Sequence, residues 1–302
     1  MSGLFQFKNL RTPAQQQGSS PLAQSSTVMS DETFKLFRDF IYTKSGIFFN
    51  DSKKYLLEGR VSKRLSINKV STFEEYLQLL KSSQGRGELS ALYEAITINE
   101  TYFFRAEQQF DALEQIIIPE IIASKGNSLG TTVRLWSSAS STGEEAYTMA
   151  IIINERLKKK YPHVRFQIMA SDINSAELAT AIQGFDKEYA IRNVPPNLLT
   201  KYFKKDGATY QLSDEIRRQV TFLNVNLFDS SAMRSMQNFD IIFCCNVLIY
   251  FDLASKQQVI SGLYDSLNKN GHLIIGYSES LHGVSKAFKL IHLPKAMVYK
   301  KE

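Results

Sequence analysis

From Val133 onward the chain alternates short, β-rich apolar runs with helical stretches, and this alternation limits the fold more than any other feature. VRLWSSAS reads as a strand and STGEEAYTMAIIINERLKKK as a long helix; FQIMASD and NSAELATAIQG repeat the pair. VTFLNVNLF and FDIIFCCNVLIYF are further strands. LASKQQVISGLYDSLNKNG is predicted as a helix closed by Gly271, HLIIGYSES as a strand and FKLIHLPKAMVYKK as a terminal hairpin. Strands separated by helices pair in parallel, with the helices covering both faces of the sheet. The chain is therefore predicted to be α/β. Between 184 and 220 the alternation gives way to a polar, irregular stretch with weak strand signals, read as a small inserted lobe.

The first third is different. Residues 1–29 are rich in Gln, Ser and Pro and poor in large apolar residues, which predicts a disordered leader. Helical spacing begins at Phe34, Phe37 and Ile41, behind Ser30 as an N-cap. In KKYLLEGRVSKRL, Tyr55, Leu56, Leu57, Val61 and Leu65 occupy one side, and Lys53, Lys54, Arg60, Lys63 and Arg64 crowd the rest. Ser71 with Glu74 forms a predicted capping box for a third helix, and LSALYEAITI ends an all-helical module over 30–97. The basic helix is either a solvated face or a docking face for an acidic partner.

Composition excludes several classes. No run approaches the roughly 20 apolar residues of a membrane helix, and no basic segment precedes an apolar one as in a secretory signal. Two cysteines make no disulfide framework, so a reducing cytoplasm is the default. The 36 basic and 30 acidic residues leave a net charge of +6, compatible with an acidic partner but too modest to choose one.

Ligands of an open parallel sheet bind beyond the carboxyl ends of its strands, so polar groups at those ends are the candidate ligand contacts. After the first strand comes SSASSTGEE, small residues and a helix start with free N–H groups; Ser141 and Glu144 are predicted as its capping box. It contains neither GxGxxG nor GxxxxGK[ST], against an ordinary dinucleotide site and a P-loop. Asp172 ends the second strand, where a carboxylate accepts from ribose hydroxyls or caps a helix. Asn226 and Asp229 end another, and Asn226 either reads an adenine edge or holds its loop. Asn246 and Tyr250 sit at the mouth of FDIIFCCNVLIYF. Within that strand Cys244 and Cys245 point to opposite faces, so they do not grip one metal together. No metal site is predicted, and each cysteine is expected to be a small buried hydrophobe.

With ITINETYFFR, WSSASSTGEEAY, ASDIN, VNLFD and FCCNVLIYF in this order, the chain resembles the CheR-type chemotaxis receptor methyltransferases from about Phe34 to Val298. The resemblance implies a Rossmann-like S-adenosylmethionine-dependent methyltransferase domain over 98–302, with a small inserted β-subdomain at 184–220, behind a small all-α domain. It implies methyl transfer to receptor glutamates. Asn99, Thr101 and Arg105 would line the cofactor from the linker, Glu145 would bind its methionine end, and Asp172 would hold its ribose. Asn226 and Leu227 would flank adenine, Asn246 would lie under the methionine part, and Tyr250 would stand near the methyl group. Arg105 and Tyr250 would steer and place the acceptor. The basic helix would orient an acidic helical receptor segment, and a cytoplasmic monomer recruited to membrane receptors is expected.

Two positions depart from the family pattern. The family reads FCRNV where this chain reads FCCNV, so Cys245 replaces an arginine in the cofactor pocket and loses a bidentate partner for a carboxylate. Some relatives grip a receptor-tail pentapeptide with a glycine-rich loop; KKDGATYQL has one glycine, so no dependence on such a tail is expected. Two rival readings remain. One is a nucleic-acid methyltransferase, which lacks a PP-Y motif and a basic aromatic groove; the other is a homologue that binds cofactor or receptor without turnover.

Overall fold

The computed structural model describes residues 28–294 and 296–302. Four helices come first: α1 (Asp31–Ser45), α2 (Lys54–Asn68), α3 (Phe73–Lys81) and α4 (Arg86–Ile96). The Ser30 hydroxyl caps α1 by accepting from Thr33 N at 3.0 Å. The faces spaced three and four apart meet in one core built on Phe37, Ile41, Leu57, Val61, Phe73 and Tyr76. Three expectations need correction. The capping box of α3 is Thr72 with Glu75, because Thr72 is the last extended residue; Glu74 instead accepts from the Thr33 hydroxyl. Tyr55 is 75% exposed, since it precedes the buried stripe of α2 by half a turn. Of the leader expected over 1–29, residues 1–27 lie outside the described residues, and Met29 is fully buried in the helical core.

The parallel sheet is formed by β1 (Thr132–Ser137), β2 (Arg165–Asp172), β6 (Val220–Asn224), β7 (Phe239–Cys244) and β8 (Leu267–Ile275). The antiparallel pair β9 (Phe288–Leu293) and β10 (Ala296–Lys301) extends it beside β8, giving the order β6-β2-β1-β7-β8-β10-β9 among the described residues. Strand order reverses between β1 and β7, so the crevice at their carboxyl ends is the ligand position of such a sheet. From Ile241 to Cys244 successive side chains of β7 alternate between two cores, and an irregularity in the ladder between Phe239 and Ile241 places Phe239 with the even-numbered set. Ile241 and Phe243 pack with the helix Glu144–Ile152, and Phe239, Ile242 and Cys244 with the helix Leu253–Ser266.

That last helix ends at Ser266, before the predicted Gly271. From Leu267 the chain is already extended and pairs with Phe239. Gly271 lies inside β8, where a Cβ would come within 3.1 Å of the Asp240 carbonyl. At this lower edge Asp240 is almost fully buried. It accepts from Lys125 Nζ (2.6 Å), Asn268 Nδ2 (2.7 Å) and Arg134 N (2.9 Å), which is the full pairing a buried carboxylate requires.

The insertion folds as a three-stranded antiparallel sheet in the order β3-β5-β4, from β3 (Phe185–Lys187), β4 (Phe203–Asp206) and β5 (Thr209–Leu212). Short helices Glu188–Ile191, Pro196–Tyr202 and Asp214–Arg217 flank it. Asp186 is buried beside Glu144; loss of water, then repulsion from Glu144, pushes Asp186 up to about 8. No helix among the described residues is long and apolar enough to cross a membrane.

Candidate active site

A cavity of about 280 Å³ opens at the carboxyl ends of β1, β2, β6 and β7. Every residue that the family resemblance assigns to the site borders it: Asn99, Thr101, Arg105, Glu145, Asp172, Asn226, Leu227, Cys245, Asn246 and Tyr250. The sheet delivers the floor. β1 runs into Ser138, whose N–H donates to the Phe243 carbonyl at 2.8 Å and ties the β1 and β7 ends together. The predicted Ser141–Glu144 capping box does not form. Gly143, in the left-handed region, is the N-cap of the helix Glu144–Ile152, and Ser141 has a φ of +50°. That turn aims the Ser141 N–H at Asp172 Oδ2 (2.9 Å), while Asp172 Oδ1 accepts from Asn174 N (2.9 Å). A carboxylate has about four acceptor positions, so with these backbone partners Asp172 keeps acceptor capacity to spare. Burial pushes the Asp172 carboxyl above its usual range.

Glu145 leans over the same edge. It accepts from the Ser137 hydroxyl at 2.6 Å and has no ion-pair partner among the described residues. Removal from water pushes its carboxyl up to about 7; hydrogen bonds from Ser137 and Cys245 and the Arg105 guanidinium pull it only partly back. Cys245 points its thiol at Gln109 Oε1 (3.7 Å) and the Ile274 carbonyl (3.8 Å). Burial holds both thiols well above their ordinary range, so neither is a thiolate nucleophile.

The roof comes from elsewhere. The segment joining α4 to the sheet domain supplies Asn99, Thr101 and Arg105, and the end of α1 and the turn after it supply Ser45 and Ile47. Asn99 Nδ2 donates to Glu177 Oε1 (3.0 Å), and Arg105 donates to the Glu100 carbonyl (2.6 Å) beside the Tyr102 ring. Asn226 spends its side chain on the loop, as one of its two alternatives foresaw. Its Nδ2 donates to the Lys44 carbonyl (2.6 Å), and its Oδ1 accepts from Phe228 N (3.0 Å). The half-buried Tyr250 donates to the Ile98 carbonyl (3.3 Å), and its own carbonyl accepts from Phe48 N (2.9 Å). Asp229, at the next helix start, is a cap, accepting from Ser231 N, and does not border the cavity.

Sequence reasoning missed the Ser45–Ile47 turn and Ser140. The turn carries no local signal, since only its docking onto β6 and β7 brings it to the site. Ser140 borders the cavity with a buried hydroxyl that has no partner among the described residues. An orphaned hydroxyl at Ser140, a Glu145 carboxyl without a cation paired to it among the described residues, and spare acceptor capacity at Asp172 suit a ligand with ribose hydroxyls and an ammonium group. They therefore fit S-adenosylmethionine. Among the described residues no cluster of His, Cys, Asp and Glu is placed to hold a metal ion.

The sheet order, the switch-point cavity and these groups define a Rossmann-like S-adenosylmethionine-binding methyltransferase. Residues 99–297 match the family description "CheR methyltransferase, SAM binding domain", and residues 32–97 match "CheR methyltransferase, all-alpha domain". The chain belongs to the CheR methyltransferase family. It is 36% identical over 276 residues to chemotaxis protein methyltransferase 2 of Vibrio cholerae, covering 91% of this chain and 94% of that one. It is 34% identical to the chemotaxis protein methyltransferase of Borreliella burgdorferi, covering 85% and 90%. Among solved structures, an N-methyltransferase from Bradyrhizobium japonicum superposes with a TM-score of 0.36 at 12% identity, over 63% of this chain and 86% of that one. That likeness is too slight to bear on the fold, which rests on strand order and the family match.

Proposed function

We propose that this chain transfers a methyl group from S-adenosylmethionine to glutamate side chains of chemotaxis receptors. The observation that carries the reading is convergence: groups from distant segments, Asn99 to Tyr250, surround one cavity in a chain of this family. Bound S-adenosylmethionine supplies an electrophilic methyl on a sulfonium. The acceptor, a glutamate, is already ionised at neutral pH, so the site needs no general base. Its work is to orient the acceptor and exclude water. Glu145 holds the ammonium of the methionine end, Asp172 the ribose, and the loop of Asn226 and Leu227 the adenine. Asn246 underlies the methionine part. Arg105, exposed at the rim, steers the acceptor carboxylate, and Tyr250 places it.

Docking falls to fewer cations than the basic helix carries. Arg64 is locked to Glu88 by two hydrogen bonds (2.8 and 2.7 Å), Lys54 pairs with Asp31 (2.6 Å), and Arg60 donates to the Ile96 carbonyl. Lys53 and Lys63 remain as exposed charges facing an acidic receptor helix. The enzyme acts as a cytoplasmic monomer recruited to receptors, with no need of a receptor-tail peptide. The test is transfer of labelled methyl to a receptor fragment, scored as base-labile ester. Wild-type turnover is expected, with a Lys53→Glu/Lys63→Glu variant raising acceptor KM several-fold at low salt. Tight S-adenosylhomocysteine binding without any transfer would instead support the non-catalytic alternative that Cys245 raises.

A further inference from the structure

At the carboxyl edge, β7 and β8 leave the sheet side by side. Asn246, which borders the cavity, takes a φ of +60°, a left-handed conformation that Asn tolerates better than most side chains. Its backbone amide is tied to Glu279, in the loop after β8. Glu279 Oε2 accepts from Asn246 N at 2.8 Å and from Gly276 N at 2.7 Å, so one oxygen joins the two strand ends. The loop folds back tightly, with Glu279 N donating to the Gly276 carbonyl at 2.9 Å. Gly276 makes room for this: a Cβ there would lie 2.6 Å from Glu279 Oε2 and 2.9 Å from Asn246 N.

The other oxygen, Oε1, is buried with no hydrogen-bond partner among the described residues. A buried carboxylate with half its acceptors idle is a cost that packing alone does not favour. Glu279 does not itself border the cavity, yet its charge acts on Glu145, Cys245 and Tyr250, which do.

We propose that Glu279 is a positioning residue for the cofactor site: its carboxylate clamps the Asn246 amide and so fixes the cavity wall formed by Cys245 and Asn246. The inference rests on the methyl-transfer reading and adds to it a residue that never touches cofactor or acceptor.

The experiment compares wild type, Glu279→Gln, Glu279→Asp and Glu279→Ala by calorimetry with S-adenosylhomocysteine, methyl-transfer kinetics and melting temperature. Glutamine keeps an oxygen that can accept both amides and puts an amide where Oε1 sits. Aspartate keeps the charge but is one methylene short. Glutamine is expected to bind within about 3-fold of wild type. Alanine and aspartate are expected to weaken binding about 10-fold or more and to lower kcat, because neither holds the Asn246 amide and the wall it forms in place. If alanine does not fold, the aspartate variant decides. A lower melting temperature with unchanged binding and kcat in these variants would make Glu279 merely structural and overturn the inference. Damage in glutamine equal to that in alanine would overturn it too, since charge rather than clamping would then matter. Wild-type protein that neither binds nor transfers sinks the functional reading and the inference together; active wild type beside unaffected alanine and aspartate variants sinks the inference alone.

Discussion

The floor and the roof of the cavity are built by different means. Asp172, Cys245 and Asn246 stand at or just beyond the ends of strands fixed by the ladders of a buried parallel sheet, and Glu145 stands in the first turn of the helix that follows β1. The roof is a turn and a linker held by contacts between segments far apart in sequence. Asn226 reaches the Lys44 carbonyl, Phe48 N reaches the Tyr250 carbonyl, and the Tyr42 hydroxyl reaches Asp252 at 3.2 Å. Gly46, at the centre of the turn, has a φ of +72°, and the Phe228 ring would lie 2.6 Å from any Cβ placed there. The floor owes its geometry to secondary structure and the roof to domain docking. Floor variants should therefore abolish specific contacts, and roof variants should loosen a fit.

The largest effect is expected at the floor. Asp172→Ala should weaken S-adenosylhomocysteine binding by about 10- to 100-fold, the value of hydrogen bonds to a charged acceptor. It should also lower the melting temperature, because the Ser141 and Asn174 amides lose their partner. Calorimetry showing unchanged affinity would remove Asp172 from the site. A middle effect is expected at the roof. Gly46→Val puts a branched side chain in the left-handed region, at a cost of roughly 1–2 kcal/mol, against an aromatic ring. Affinity should fall several-fold and protease cleavage near 45–49 should quicken. A Gly46→Val protein as weak a binder as Asp172→Ala would erase the distinction between floor and roof.

The subtlest expectation concerns pH. The Glu145 carboxyl is raised from 4.5 to about 7, so the folded protein without cofactor keeps a proton that the unfolded chain gives up. Its contribution to stability is full below about 4.5 and is lost as pH rises through 7. Binding an ammonium has the opposite sign, since it favours the ionised carboxylate. S-adenosylhomocysteine affinity should fall roughly tenfold between pH 8 and 6, with a proton released on binding near pH 6. Calorimetry in buffers of different ionisation heats reads that proton directly, and a pH-independent affinity would mean that Glu145 does not meet the ammonium. Glu145→Gln should flatten the profile.

Much of the floor was legible because strand ends in an open sheet have a fixed relation to the ligand. Once FQIMASD is a strand, Asp172 follows. The local chemistry around those ends was less legible. A capping box at Ser141 and Glu144 satisfies a simple spacing rule, yet Ser141 turns left-handed so that its amide meets Asp172, a partner 31 residues away. The same limit moved the α3 cap from Ser71 to Thr72, where neighbouring hydroxyls compete and backbone geometry chooses. Gly271 is punctuation for a helix in the sequence but belongs to a strand, because pairing with β7 outweighs a local stop signal.

The alternation of apolar periods determined by itself the helical module, the parallel sheet and the edge at which a ligand binds, since burial of one face is a property of the local pattern. The order of polar groups along the strand ends also named Asp172 and Asn246 of the floor, and the family resemblance named Glu145 and Cys245. Only the tertiary structure decided that Asn226 spends its amide on Lys44, that the turn at Gly46 roofs the cavity, and that Glu279 clamps Asn246. Each of these is a hydrogen bond or contact between segments separated by tens to hundreds of residues, and no local period or propensity encodes which distant atom will arrive.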